Sequence, residues 1–88
     1  MADTLGLYQE AVQLARDLGY EVREEPLGEL PGGRCTVNGT TRVLLNLERP
    51  VAERLDRLLR ALAVDARVAA EPKSRLLESR LQSLAAGG

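Results

Sequence analysis

The segment RCTVNGTTRVLLNL, Arg34–Leu47, constrains this chain more than any other. Asn38-Gly39 separates two runs rich in β-branched residues, and a two-residue Asn-Gly connection is the strongest short-range signal for a type I′ hairpin. Val43, Leu44 and Leu45 follow one another in the second arm, and an unbroken apolar run predicts a central strand covered on both faces. Upstream, Tyr20 and Val22 alternate with Glu21 and Arg23, which predicts a short strand that Pro26 ends or confines to an edge. Between them, Pro31 can fix the first angle of a turn while Gly32 or Gly33 supplies positive φ. The expectation is a small three-stranded antiparallel sheet.

Helical periodicity brackets these strands. Thr4 is placed to cap a first helix reaching Leu18, with Leu5, Tyr8, Ala11, Val12, Ala15 and Leu18 on one face. Gly19 is suited to end it in the left-handed conformation. Pro50 suits the first turn of a second helix. Leu55, Leu58, Leu59 and Leu62 form its apolar stripe, with acid-first pairs Glu53–Arg57 and Asp56–Arg60 across successive turns. The stretch AVDARVAAEP fits either a linker or a frayed helical continuation. Pro72 is the expected start of a last helix, with Leu76, Leu77, Leu81 and Leu84 as its stripe and a loose end at Gly87 and Gly88. The order is αβββαα, a single α+β domain packed against one small sheet.

The core available to such a domain is thin. Among 88 residues there is no Phe or Trp, and Tyr8 and Tyr20 are the only aromatics. Area scaling buries only about 63% of the extended chain's surface at this length, so self-association would add stability. The leucines of residues 72–86 can fold back onto the chain or pair with a second copy, which makes them candidate interface residues.

Composition excludes several kinds of chemistry. No histidine is present, which removes His-dependent triads, HExxH metallopeptidases and His-containing zinc sites. A single cysteine makes no internal disulfide, four-thiolate zinc site or CxxC centre. No cofactor or metal is expected; an oxygen-ligated ion would need only carboxylates, but no EF-hand loop is present. Seven acids crowd residues 1–33, whereas residues 49–80 hold eight basic groups against five acids, yet the net charge is only −1. Arg54, Arg57, Arg60 and Arg67 alternate with acids and lack an aromatic platform, so they read as solvated helix surface rather than a nucleic-acid or phosphate site. Met1-Ala2-Asp3 opens without an apolar run and no segment is long enough to span a membrane, giving a soluble cytoplasmic protein as the expectation.

Cys35 is the one candidate nucleophile. Arg34 and the free amides of the Pro31–Gly33 turn would favour its thiolate. Against this, strand alternation puts Cys35 on one side with Val37, and free cysteine commonly packs as a small hydrophobe. The alternation predicts burial. Gly32-Gly33 lacks GxxxxGK[ST] or GxGxxG and precedes a strand, so it reads as a turn. Glu21, Glu24, Glu25 and Glu29 show no spacing that singles out an acid/base pair.

Gly32, Gly33, Cys35, Gly39 and Asn46 carry a resemblance to short functionally uncharacterised bacterial α+β proteins. These have a GG-x-C-x-x-x-G hairpin, an Asn-containing strand end and a leucine-rich helix. The resemblance covers about half of the chain and implies a fold without a reaction. The element order also resembles the N-terminal part of HExxH metallopeptidase-like domains, but the corresponding helix here reads RLDRLLRALA, without the zinc motif. The expected function is protein binding or homo-oligomeric assembly. A Cys35-dependent enzyme and a weak nucleic-acid or phosphate binder are the alternatives.

Overall fold

The computed structural model describes residues 3–86; the terminal glycines, Gly87 and Gly88, lie outside them. Helix α1 (Thr4–Asp17) is followed by strands β1 (Glu21–Glu25), β2 (Gly33–Val37) and β3 (Thr40–Asn46). Helix α2 (Val51–Ala63), a 3₁₀ turn over Ala66–Ala70 and helix α3 (Arg75–Ala86) complete the chain. The α+β order αβββαα is as expected, with the AVDARVAAEP stretch forming the 3₁₀ turn.

Local chemistry explains each boundary, with some shifts from expectation. Asp3, not Thr4, caps α1, its carboxylate accepting from the Gly6 amide at 2.9 Å. Gly19 has φ +91° and ends the helix as predicted. Leu5 falls outside the buried face at 52% exposure, and Leu7 and Leu14 take its place in the core. Pro50 sits one residue before α2, and Glu53 pairs with Arg49 at 3.5 Å instead of Arg57. The Asp56–Arg60 pair forms as predicted, at 2.9 Å. Helix α3 begins three residues after Pro72, where the Ser74 hydroxyl accepts from the Leu77 amide at 3.2 Å. Glu10 of α1 receives both the Ser74 amide and hydroxyl at 2.7 Å, fastening the start of α3 to α1.

The sheet order is β1-β3-β2, so the Val43–Leu45 run does lie on the central strand. The sheet is mixed, however, not antiparallel: β1 runs parallel to β3, with Val22 opposite Val43, and β2 runs antiparallel to it. The reason is geometric. Strands β1 and β2 flank β3 and are joined by Pro26–Gly32, a connection curled by two prolines and by positive φ at Gly28 and Gly32. Such a short link joins the strands at one end of the sheet, which makes β1 and β2 antiparallel to each other and β1 parallel to β3.

Among the described residues, helices cover one face only. Val22, Val43 and Leu45 point into a core centred on Leu55, Leu58, Leu59 and Leu62 of α2, with α1 and α3 on either side. Leu44 points the other way and is half-buried, so coverage of both faces of β3 is not realised. Leu77 and Leu81 of α3 are buried in this same core and Leu84 packs at its margin, while Leu76 is 46% exposed. The radius of gyration of 12.4 Å is close to the roughly 12 Å expected for an isolated chain of this length.

Candidate functional site

Strand β2 ends the sheet on one side and is the most exposed of the three strands: four of its five residues are exposed. Cys35 is among them, which corrects the expectation that it is buried. The alternation itself was legible. Register pairs Cys35 with Arg42 and Val37 with Thr40, so Cys35 and Val37 do share a face. That face is the uncovered one, carrying Arg42 and Leu44 of β3 and Glu21, Arg23 and Glu25 of β1. Glu21 there receives both Arg23 and Arg42 at 2.9 Å, and Arg23 also meets Glu25 at 3.3 Å.

The hairpin turn fixes which backbone groups of β2 are free. Asn38 has φ +51° and Gly39 φ +81°, the paired left-handed geometry of a two-residue type I′ turn. Val37 and Thr40 flank it and form a hydrogen-bonded pair, and such pairs alternate along an antiparallel ladder. Cys35–Arg42 and Gly33–Leu44 are therefore bonded as well. Arg34 and Thr36 direct their N–H and C=O groups away from β3, toward a side where no strand follows among the described residues. The other sheet edge is different: β1 carries Glu21, Arg23, Glu24 and Glu25 and is followed by Pro26, features that discourage strand addition. In β2 only Arg34 is charged.

Asn46 holds β2 in this place. It is 1% exposed, the one buried polar side chain among the described residues. Its Oδ1 accepts from the amides of Leu27 at 3.0 Å and Glu48 at 2.9 Å. Its Nδ2 donates to the carbonyls of Gly28 at 3.0 Å and Leu30 at 2.8 Å. All four hydrogen-bonding positions of the amide are used, clamping the β1–β2 connection across the end of β3. Gly32 completes the crossing, because at φ +79° a Cβ would run into the Leu44 carbonyl oxygen. A single asparagine closing an apolar run was the available signal for this role, and periodicity alone does not interpret it.

Two further polar clusters join elements. The Tyr8 hydroxyl donates to Glu24 at 2.9 Å, and the Arg54 guanidinium lies over the Tyr8 ring, 5.1 Å from its centroid. Burial, reinforced by Glu24, pushes the Tyr8 phenol up to about 12. Arg16 reaches Glu24 only at 3.9 Å, and these residues border an open cleft of about 370 Å³. At the opposite end of α1, Tyr20 donates to Asp65 at 2.6 Å, and Arg67 binds Asp65 at 2.8 Å and the Leu18 carbonyl at 3.2 Å. The Arg67 guanidinium, then the Tyr20 hydroxyl, hold the Asp65 carboxyl far below the usual range. Burial, then Asp65, pushes the Tyr20 phenol up.

The remaining candidate residues are not brought together. Arg54 donates to the Arg49 carbonyl, Arg60 to Asp56 and Arg67 to Asp65, so three of the four helix-surface arginines have local partners. Glu21, Glu24, Glu25 and Glu29 divide between ion pairs on the open face, the Tyr8 cleft and the β1–β2 connection. No group of three or more His, Cys, Asp or Glu side chains is placed to hold a metal ion among the described residues, and no helix there is long and apolar enough to cross a membrane. A shallow groove of about 260 Å³ lies between α2, the 3₁₀ turn and α3, lined by alanines and leucines and by the polar side chains of Asp65, Lys73, Glu78 and Gln82. Against this geometry, no protein-family description, curated protein or solved structure matches the chain.

Proposed function

We propose that this protein acts by binding and assembly, through addition of a strand to the free edge of β2. The carrying observation is the edge itself: a five-residue strand without a proline or an acidic residue, presenting outward backbone groups at Arg34 and Thr36. Strand addition draws its affinity from main-chain hydrogen bonds and its selectivity from alternate side chains, here Cys35 and Val37 on one face and Arg34 and Thr36 on the other. Three of the four C-terminal leucines serve the chain's own core, so β2 is better placed than α3 to receive a partner. The competing reading, a cysteine-dependent enzyme, gains access from the exposure of Cys35. It gains no base, since Arg42 and Val37, opposite and beside it, accept no proton.

Proline substitution tests this directly, because the two kinds of β2 residue use their amides differently. Thr36→Pro removes an outward N–H, whereas Cys35→Pro removes one bonded to β3. Sedimentation velocity up to about 1 mM protein, a range that detects weak pairing, is expected to show concentration-dependent association of the natural chain. Thr36→Pro should abolish it with an unchanged circular dichroism spectrum, and Val37→Lys should weaken it by placing a charge at the edge. A natural chain that stays monomeric throughout, or association indifferent to both substitutions, overturns the proposal.

A further inference from the structure

The occupant of the β2 edge can be specified further, given the strand-addition reading above. We infer that it is a second copy of this chain, paired antiparallel about a two-fold axis through Cys35, making one six-stranded sheet.

The outward groups select this register. Centred on Cys35, Arg34 lies opposite Thr36 of the second copy, and Thr36 opposite its Arg34. Each of these residues directs both N–H and C=O to the edge, so the two pairs form four main-chain hydrogen bonds and leave none of those groups free. Gly33 falls opposite the second copy's Val37, where the missing side chain leaves room for the isopropyl group. Moving the axis to Arg34 sets two guanidinium-bearing residues directly opposite, which is repulsive. Moving it to Thr36 carries the pairing into Asn38, whose φ of +51° is not extended. Only the Cys35-centred register pairs Gly33–Val37 along its whole length. Pairing with β1 of a second copy instead meets the charges of Glu21, Arg23, Glu24 and Glu25.

This register places the two Cys35 residues directly opposite each other in a pair that is not hydrogen-bonded. The Cα atoms of such a pair lie about 4.5 Å apart, inside the roughly 4.4–6.8 Å range that a disulfide spans. The thiols share the uncovered face, where an oxidant has access. Cross-linking replaces two S–H bonds by one S–S bond, with two protons released and two electrons passed to an added thiol oxidant such as copper–phenanthroline with dissolved oxygen.

The test compares cross-linking rates in the full chain, with the alkylation rate of each cysteine as a reactivity control. Native Cys35 is expected to form covalent dimer at least about tenfold faster than a chain carrying Cys35→Ser with Thr36→Cys, whose thiols lie on the opposite face and out of register. Adding Thr36→Pro to the native cysteine should return its rate to that of chance encounter. If the relocated cysteine cross-links as fast while sedimentation still shows a dimer, the register is wrong and the strand-addition reading survives. If neither chain associates, both fall together.

Discussion

Replacing Asn46 by leucine is the most informative single change to the fold, because it keeps nearly the same shape and removes all four hydrogen bonds. Each contributes about 0.5–1.5 kcal/mol net, giving a gross loss of about 2–6 kcal/mol. The partners at Leu27, Gly28 and Leu30 belong to a largely exposed connection and regain water once it lifts, which holds the loss to about 2–4 kcal/mol. A domain of this length has a total stability of about 4–13 kcal/mol, so the change removes a large fraction of it. Urea unfolding followed by far-ultraviolet circular dichroism measures the difference. Native-state amide exchange localises it, with faster exchange expected first at Leu27 and Glu48, whose N–H groups Asn46 accepts. Asn46→Asp sharpens the test: it retains both acceptor contacts but turns an oxygen toward the Gly28 and Leu30 carbonyls. Its cost should be at least as large at neutral pH and should shrink as acid protonates the new carboxyl, whose burial raises its pKa. A loss below about 0.5 kcal/mol for the leucine variant, with Leu27 and Glu48 still protected, would refute the clamp.

Gly32→Ala is expected to cost at least about 1–3 kcal/mol from the left-handed backbone alone, with the clash against the Leu44 carbonyl added; Gly28→Ala, with open space around it, should cost less. Acid should destabilise the fold through Asp65. Its folded pKa lies below the ordinary 3.8, so the stabilisation is complete above that value and is lost progressively as pH falls beneath it. Asp65→Asn should flatten that limb in acid unfolding curves. Alkali acts with the opposite sign on Tyr8 and Tyr20, whose raised pKa values stabilise the fold below pH 10 and lose that contribution as pH rises through the folded values, about 12 for Tyr8. These are the chain's only tyrosines, so tyrosinate absorbance should lag the free-phenol curve and rise together with unfolding; ordinary titration near pH 10 in the folded state would contradict this.

The helices were legible wherever an apolar stripe is long. Leu55, Leu58, Leu59 and Leu62 announce α2 by period alone, and all four are buried. The hairpin was legible from Asn38-Gly39 because only a few residue pairs tolerate positive φ twice in succession. Boundaries shifted by one to three residues where a side-chain cap decides them, as with Asp3 and Ser74. The Tyr20–Asp65–Arg67 cluster was hidden because its members lie 45 positions apart in the sequence and meet only when α2 returns past α1.

Strand direction and cysteine exposure escape periodicity for connected reasons. Placing Val43–Leu45 at the centre already requires β1 and β2 to occupy the two edges. A link as short and turn-rich as Pro26–Gly32 then requires β1 to run parallel to β3, so the all-antiparallel sheet was inconsistent with its own central strand. The crossing that enforces this also needs a polar residue beneath it, which is the physical meaning of Asn46 at the end of an otherwise apolar run. With β2 at an edge, alternation no longer predicts burial. Its helix-side residues, Arg34 and Thr36, stay exposed even though Arg34 lies near the Tyr20 hydroxyl, and its other side, with Cys35 and Val37, faces no layer among the described residues. The Pro31-Gly32-Gly33 turn thus does more than reverse the chain. It delivers an exposed thiol to the middle of the sheet's unguarded edge, where a two-fold partner would set an identical thiol against it.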